Sequence, residues 1–263
     1  MELVSLGYGS LQIGIIVFLF GLCIGSFLNV CIHRIPAGKS IVYPGSSCPK
    51  CGNHIRFYDN IPLFSYLWLR GRCRQCRTAI SPRYPAVELL AALFAFGVYA
   101  KFGISIQSLV YFIFIAVLLA VTFIDIDHRI IPDVITLPGI PTFFLATFLL
   151  PSITWKDSLI GLLVGGGSLY LVGLVYYLLT RKEGMGGGDV KLLAMIGALT
   201  GWKGVFFTIF VASGVGTLAG LAVMLITRRN MKLKIPFGPF LAIGAVAYLF
   251  FGPQLIRWYF HLY

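Results

Sequence analysis

The sequence predicts an all-α polytopic membrane protein of about eight transmembrane helices with one polar loop between the first two. Three observations carry that reading. Of its 263 residues 58% are hydrophobic and only 11% are charged, where a soluble domain carries about a quarter charged residues. The apolar runs are of helical length, unlike the roughly ten-residue alternating segments of an outer-membrane barrel. Residues 33–84 are the only sizeable polar stretch.

In chain order the candidate spans are about 11–32, 86–103, 106–125, 133–151, 157–180, 190–203, 205–227 and 237–256. The first run is flanked by Glu2 before it and His33-Arg34 after it, the charge order of an uncleaved span with its N-terminus outside rather than of a signal peptide. With that orientation the inward loops hold nine Lys/Arg between 33 and 83, then Arg129, then Arg181, Lys182 and Lys191, then Arg228, Arg229, Lys232 and Lys234. That is 17 of the 21 basic residues, leaving Lys101, Lys156, Lys203 and Arg257 outside. Retention of basic residues on the cytoplasmic side accounts for the net charge of +12 without a nucleic-acid partner. The sixth span is short, yet without it Arg228 and Arg229 would lie outside, so it is kept as a crossing. Trp258, Tyr259, Phe260 and Tyr263 suit an interfacial belt at the far end. The chain therefore divides into a first transmembrane helix (1–32), a cytoplasmic loop (33–84) and a transmembrane core (85–263).

The loop contains Cys48-Pro-Lys-Cys51 and Cys73-Arg-Gln-Cys76, with 21 residues between the pairs. Two Cys-x-x-Cys knuckles so spaced form a tetrahedral zinc signature, and a structural metal would substitute for the core that so small a loop cannot build. Two disulfides are the competing reading, which the reducing cytoplasm disfavours. Four thiolates leave no open coordination position, so the metal is expected to be structural. Cys23 and Cys31, in or beside the first span, read as packing residues. The basic run 70–77, RGRCRQCR, reads as a topology and headgroup anchor.

Among the nine acidic residues, Glu2, Asp59 and Glu183 have polar surroundings, Asp157 opens the fifth span, and Glu88 suits the first turn of the second, where the helix dipole favours an acid. The acids near membrane depth are functional candidates by default. Asp125, in FIDIDHRIIPD (123–133), ends the third span on the cytoplasmic side. Asp189, after the glycines of EGMGGGDVKLL (183–193), opens the sixth on the same side. Two carboxylates in contact there cannot both ionise easily, titrate as a unit, and can activate a water for peptide hydrolysis. Gly186 and Gly188 would let a substrate backbone approach. On a continuing helix Asp127 points about 200° away from Asp125. Asp133 follows Pro132 as a first-turn residue of the fourth helix. The residues alone leave a proton or ion path open as the rival, since transporters also place acids in broken helices.

These motifs, with GSFLNVCIHRIP (25–36) and ISPRYPAVELL (80–90), resemble in order and spacing the type IV prepilin peptidases of the bacterial inner membrane, leader peptidases and N-methyltransferases of the GxGD-type intramembrane aspartic proteases. The resemblance covers nearly the whole chain. It implies cleavage of the basic leader from prepilins or pseudopilins by Asp125 and Asp189 on the cytoplasmic side, with no catalytic metal. It also implies methylation of the new N-terminal residue, with S-adenosylmethionine as methyl donor and the tetracysteine loop as an accompaniment. Gly71, two residues before Cys73, falls on a glycine of that loop motif and is named as methyltransferase-associated. The alternatives are a peptidase without methylation, a proton or ion transporter, and a zinc-loop assembly scaffold.

Overall fold

The structure, a computed structural model, describes residues 8–182, 186–227 and 236–259. Glu2, Glu183, Arg228, Arg229, Lys232, Lys234, Phe260 and Tyr263, used above, lie outside the described residues. Eight α-helices are described: α1 (Tyr8–Arg34), α2 (Phe64–Trp68), α3 (Arg83–Phe102), α4 (Ile106–His128), α5 (Asp133–Ala146), α6 (Trp155–Thr180), α7 (Gly187–Thr227) and α8 (Gly238–Tyr259). There is no named strand among the described residues, only two isolated bridges in the loop. All but α2 and α5 are long and apolar enough to cross a membrane, and α5 with its 3-10 extension forms a shorter apolar run, Asp133–Leu149. The chain divides into two compact units between Ala120 and Val121.

In the first unit α1 and α3 pack antiparallel through small residues. A Cβ on Gly21 would lie 2.6 Å from the Ala92 Cα, and one on Gly25 would lie 2.5 Å from the Glu88 Cα. In lipid, where apolar burial between helices drives nothing, such close backbone approach supplies the packing energy. Asn29 donates from Nδ2 to the Tyr84 carbonyl (3.0 Å). At the end of α1, Arg34 donates to the carbonyls of Ser40 (3.0 Å), Pro44 (2.6 Å) and Gly45 (3.2 Å), folding the chain back as it leaves the membrane. Cys31 is buried as expected of a packing residue, whereas Cys23 is exposed on the helix surface.

Glu88 corrects the sequence reading. It lies beyond the first turn of α3, is only 8% exposed, and accepts hydrogen bonds from the Leu63 backbone N–H (2.9 Å) and from Ser26. Its carboxylate ties the loop to the bundle rather than answering a helix dipole.

In the second unit α7 contains the decisive break. A straight helix of its 41 residues would be a rod of about 60 Å, twice the ~30 Å hydrocarbon core. Gly201 interrupts it at φ 69°, ψ 179°, a backbone that only glycine adopts without strain. A Cβ on Gly197 would lie 2.9 Å from Val205 Cγ2, although eight residues of straight helix separate such atoms by about 12 Å. The chain therefore reverses at Gly201, and its two halves correspond to the short sixth and the seventh predicted spans. The first half packs on α6: Ser158 donates to the Ala198 carbonyl, Gly161 abuts Gly197 and Gly201, and Gly165 abuts Leu193. The second half packs antiparallel on α8, with Gly244 against Thr208 and Gly204 against Tyr248. α5 runs parallel to the first half, Gly139 facing Met195. At the start of α6 Thr154 caps the helix, accepting from the Asp157 N–H (3.2 Å) and donating to its carboxylate (2.7 Å), so Asp157 opens this span as expected.

Candidate active site and metal centre

Asp125 lies in the last turn of α4, only 4% exposed. The helix ends because Arg129 adopts a left-handed backbone (φ 55°) and donates its N–H to the Asp125 carbonyl (2.8 Å). Asp127 is exposed, on the opposite side of the helix from Asp125 as the 100° step requires. The chain then runs extended to Pro132 and enters α5 at Asp133, as expected of a Pro-led first turn.

Asp189 is the third residue of α7, half-buried, its N–H donating to the Gly186 carbonyl (3.2 Å). It lies close enough to Asp125 for the two charges to act on each other. The structure thus brings together two acids 64 positions apart. The glycines before Asp189 differ in purpose. A Cβ on Gly188 would lie 2.8 Å from the Ile131 Cβ, so this position must be glycine for α7 to begin against the α4–α5 connection. A Cβ on Gly186 would make an ordinary 3.5 Å contact with the Asp189 carboxylate, and one on Gly187 would meet nothing. None of these three has a positive φ. Close approach, not a left-handed turn, is what Gly188 provides.

Two partners escaped the sequence reading. Gly238, at the start of α8, donates its backbone N–H to Asp125 Oδ2 at 3.1 Å, and a Cβ there would lie 2.6 Å from that oxygen and 3.3 Å from Ile131 Cδ1. Lys191 binds both Asp133 oxygens (2.7 and 2.8 Å), holding the start of α7 beside the start of α5. A lysine two residues after Asp189 was a visible signal for such a pair; Gly238, in the run PFGPF, carried none.

Depth follows from the register. With Gly165 of α6 against Leu193, Asp189 is level with the α6 residue about one turn further on. Some ten residues of α6 then continue beyond it to Thr180, about 15 Å of helix. The acid pair is recessed below the end of α6.

The four loop cysteines form the second centre. Their sulfurs lie within 4.8 Å of one another, with Cys48 and Cys76 3.8 Å apart. The edge of a tetrahedron with Zn–S of about 2.3 Å is about 3.8 Å, so these residues fit the metal. The two knuckles repeat one design. Cys48 N–H donates to the Asn53 carbonyl (3.0 Å) and Gly52 N–H to the Cys48 carbonyl (2.9 Å). Cys73 N–H donates to Thr78 (2.8 Å) and Arg77 N–H to Cys73 (3.1 Å). The residue after each second cysteine is left-handed, Gly52 at φ 69° and Arg77 at φ 57°. The Thr78 hydroxyl, 3.3 Å from the Cys76 sulfur, and the Thr78 N–H hold the Cys76 thiol down to about 6, favouring the thiolate that a metal needs. Gly71 is buried at φ 66° under the Tyr66 ring, where a Cβ would lie 3.0 Å from the ring, and its carbonyl accepts the Ile80 N–H (2.7 Å). It shapes the second knuckle.

Residues 19–102 match the family described as Bacterial Peptidase A24 N-terminal domain, and residues 112–221 the Type IV leader peptidase family. The chain is 39% identical over 268 residues to a protein of Aeromonas hydrophila named Prepilin leader peptidase/N-methyltransferase, covering 93% of this chain and 92% of that one. This chain belongs to the type IV leader peptidase family. A relative of the same name from Pseudomonas aeruginosa is 39% identical over 264 residues (92% and 91% covered), and one from Myxococcus xanthus 39% over 223 residues (85% and 67%). No solved structure matches the chain. Membership of the leader peptidase family sets aside the transporter and scaffold readings.

Proposed function

We propose that this leader peptidase cleaves the leader from type IV prepilins or pseudopilins and methylates the new N-terminal residue, with Asp125 and Asp189 as the catalytic acids. The juxtaposition of two carboxylates at the converging starts of α7 and α8 and the end of α4 carries this reading. One carboxylate takes a proton from water as its oxygen attacks the scissile carbonyl. The other gives a proton to the departing amine, so that peptide and water become an acid and an amine. The Gly238 N–H fixes one oxygen of Asp125, which leaves the other free to face water, while Gly186 leaves the approach to the Asp189 carboxylate open and Gly188 seats α7 against Ile131.

The peptidase core is assigned to 85–263 and the methyltransferase-associated loop to 33–84, after a first helix at 1–32. The tetracysteine centre holds structural zinc through Cys48, Cys51, Cys73 and Cys76, and Gly71 supports methylation through the shape of that loop. S-adenosylmethionine supplies the methyl group. The arginine-rich face of the loop repels its sulfonium and ammonium and would meet only its carboxylate. The protein resides in the bacterial inner membrane with its N-terminus outside, which places both centres on the cytoplasmic side.

The test is to incubate purified protein and its Asp189→Asn variant with a prepilin and S-adenosylmethionine and to weigh the products. A leaderless product one methyl group heavier, absent from the variant reaction, is expected. An intact prepilin with folded wild-type protein overturns the proposal.

A further inference from the structure

Beside the second knuckle lies a cavity of about 500 Å³ lined by Trp68, Leu69, Arg70, Arg72, Arg74 and Arg77. Arg74 is engaged: its guanidinium binds both Asp59 oxygens, with Nη2 2.6 Å and Nε 2.8 Å away. Arg70, Arg72 and Arg77 are exposed and have no ion pair among the described residues. Three free guanidiniums around one cavity select an anion with several oxygens, since each presents a fork of donors matched to phosphate.

The same cavity is bordered by α2, whose Phe64, Leu67 and Trp68 are 75%, 72% and 81% exposed. Free in water, such a helix would be an aggregation hazard. Its position sets it beside the membrane-spanning segment of α3. The residue before it, Leu63, is hydrogen-bonded to Glu88, which lies inside the apolar span of α3 and also binds Ser26 of α1. Glu88 is five residues, about 7 Å, from the start of that span. α2 is therefore pinned at the level where hydrocarbon gives way to headgroups. Aromatic and leucine side chains at that level, backed by arginines, are what an interfacial anchor presents to a leaflet.

We propose that α2 and the arginine cavity form a binding site for an anionic phospholipid of the adjacent leaflet. Phe64, Leu67 and Trp68 lie among the acyl chains, and Arg70, Arg72 and Arg77 hold the headgroup phosphate. The site lies wholly in the first unit and is independent of the peptidase assignment. Through it the zinc loop, already tied to the bundle by Glu88, is also held against the membrane surface.

Full-length protein in phosphatidylglycerol and in phosphatidylcholine nanodiscs tests this, with retained lipid counted by native mass spectrometry after release. Wild type should keep phosphatidylglycerol about tenfold better than phosphatidylcholine. The combined Arg70→Gln, Arg72→Gln, Arg77→Gln variant should lose that preference while keeping its zinc content. Trp68→Ala, which touches no knuckle hydrogen bond, should weaken retention about threefold and decides the matter should the triple variant lose metal. Unchanged retention in Trp68→Ala, or in a zinc-loaded triple variant, overturns the site. So does inorganic phosphate binding as tightly as the lipid, or a polyglutamate peptide displacing it.

Discussion

The Gly238 N–H reaches the Asp125 carboxylate across 3.1 Å, joining the start of α8 to the end of α4 over 113 positions of sequence. The bond sits where the α8 macrodipole is positive, so it favours a fixed, charged oxygen. Gly238→Ala would place a methyl 2.6 Å from that oxygen and swing the carboxylate. Cleavage should lose roughly 10- to 100-fold in kcat with KM little changed, and the pH profile should move. A lower melting temperature with unaltered kcat and pH profile would mark the glycine as packing only.

Asp125→Asn and Asp189→Asn should each lower leader cleavage by at least about a thousandfold, because members of one acid pair act as a unit. Zinc content should stay at the wild-type level in both. Cleavage by either purified variant near the wild-type rate removes that residue from the mechanism.

Cys48→Ser breaks both the sulfur cluster and the first knuckle. Zinc measured by atomic emission should fall, and N-methylation should suffer more than peptide cleavage. Removal of the metal from wild type by a strong chelator should reproduce the pattern. Full methylation by a folded, zinc-free variant is the outcome that sinks the link.

Arg74 hydrogen-bonds Asp59 and holds its carboxyl below the usual carboxylate range. A depressed folded pKa means the pair stabilises the loop above the unfolded value of about 4 and ceases to do so as pH falls through the folded one. The melting temperatures of wild type and Asp59→Asn should therefore differ by a constant amount from pH 7 down to about pH 4 and converge below. A gap that widens on acidification contradicts the assignment.

Gly161 and Gly197 press backbone against backbone where α6 meets the first half of α7. Alanine at either position forces the helices apart, at a cost of about 1–3 kcal/mol. Thermal unfolding in detergent should occur several degrees lower, whereas Gly167→Ala, in open space on the same helix, should leave it unchanged.

Much of this was legible in the sequence because the signals are local. A run of apolar residues declares a span, two Cys-x-x-Cys pairs declare a metal centre, and the 100° step already separated buried Asp125 from exposed Asp127. Charge placement alone divided the residues of α7 into two stretches, and the helix break at Gly201 falls within the second half of the shorter one, 190–203. What escaped were contacts between distant backbones. No property of Gly238 or Gly188 announces Asp125 or Ile131, because a glycine's role is set by whatever fills the space its side chain lacks. Glu88 was misassigned for the same reason: its partner is the main chain of Leu63, and an amide N–H leaves no mark in composition. The register that recesses Asp189 below the end of α6 depends on which turns of two helices meet, again a long-range matter.

The reversal at Gly201 also determines parity. Were both dihedrals of that residue helical, α7 would run on as one straight rod, and α8 would enter the bilayer from the opposite face. The Gly238 amide would then sit a membrane's width from Asp125. The backbone of one residue, at φ 69° and ψ 179°, thus decides from which end of α7 the chain returns to Asp125. A substitution there would be expected to invert the C-terminal part of the chain rather than merely loosen it.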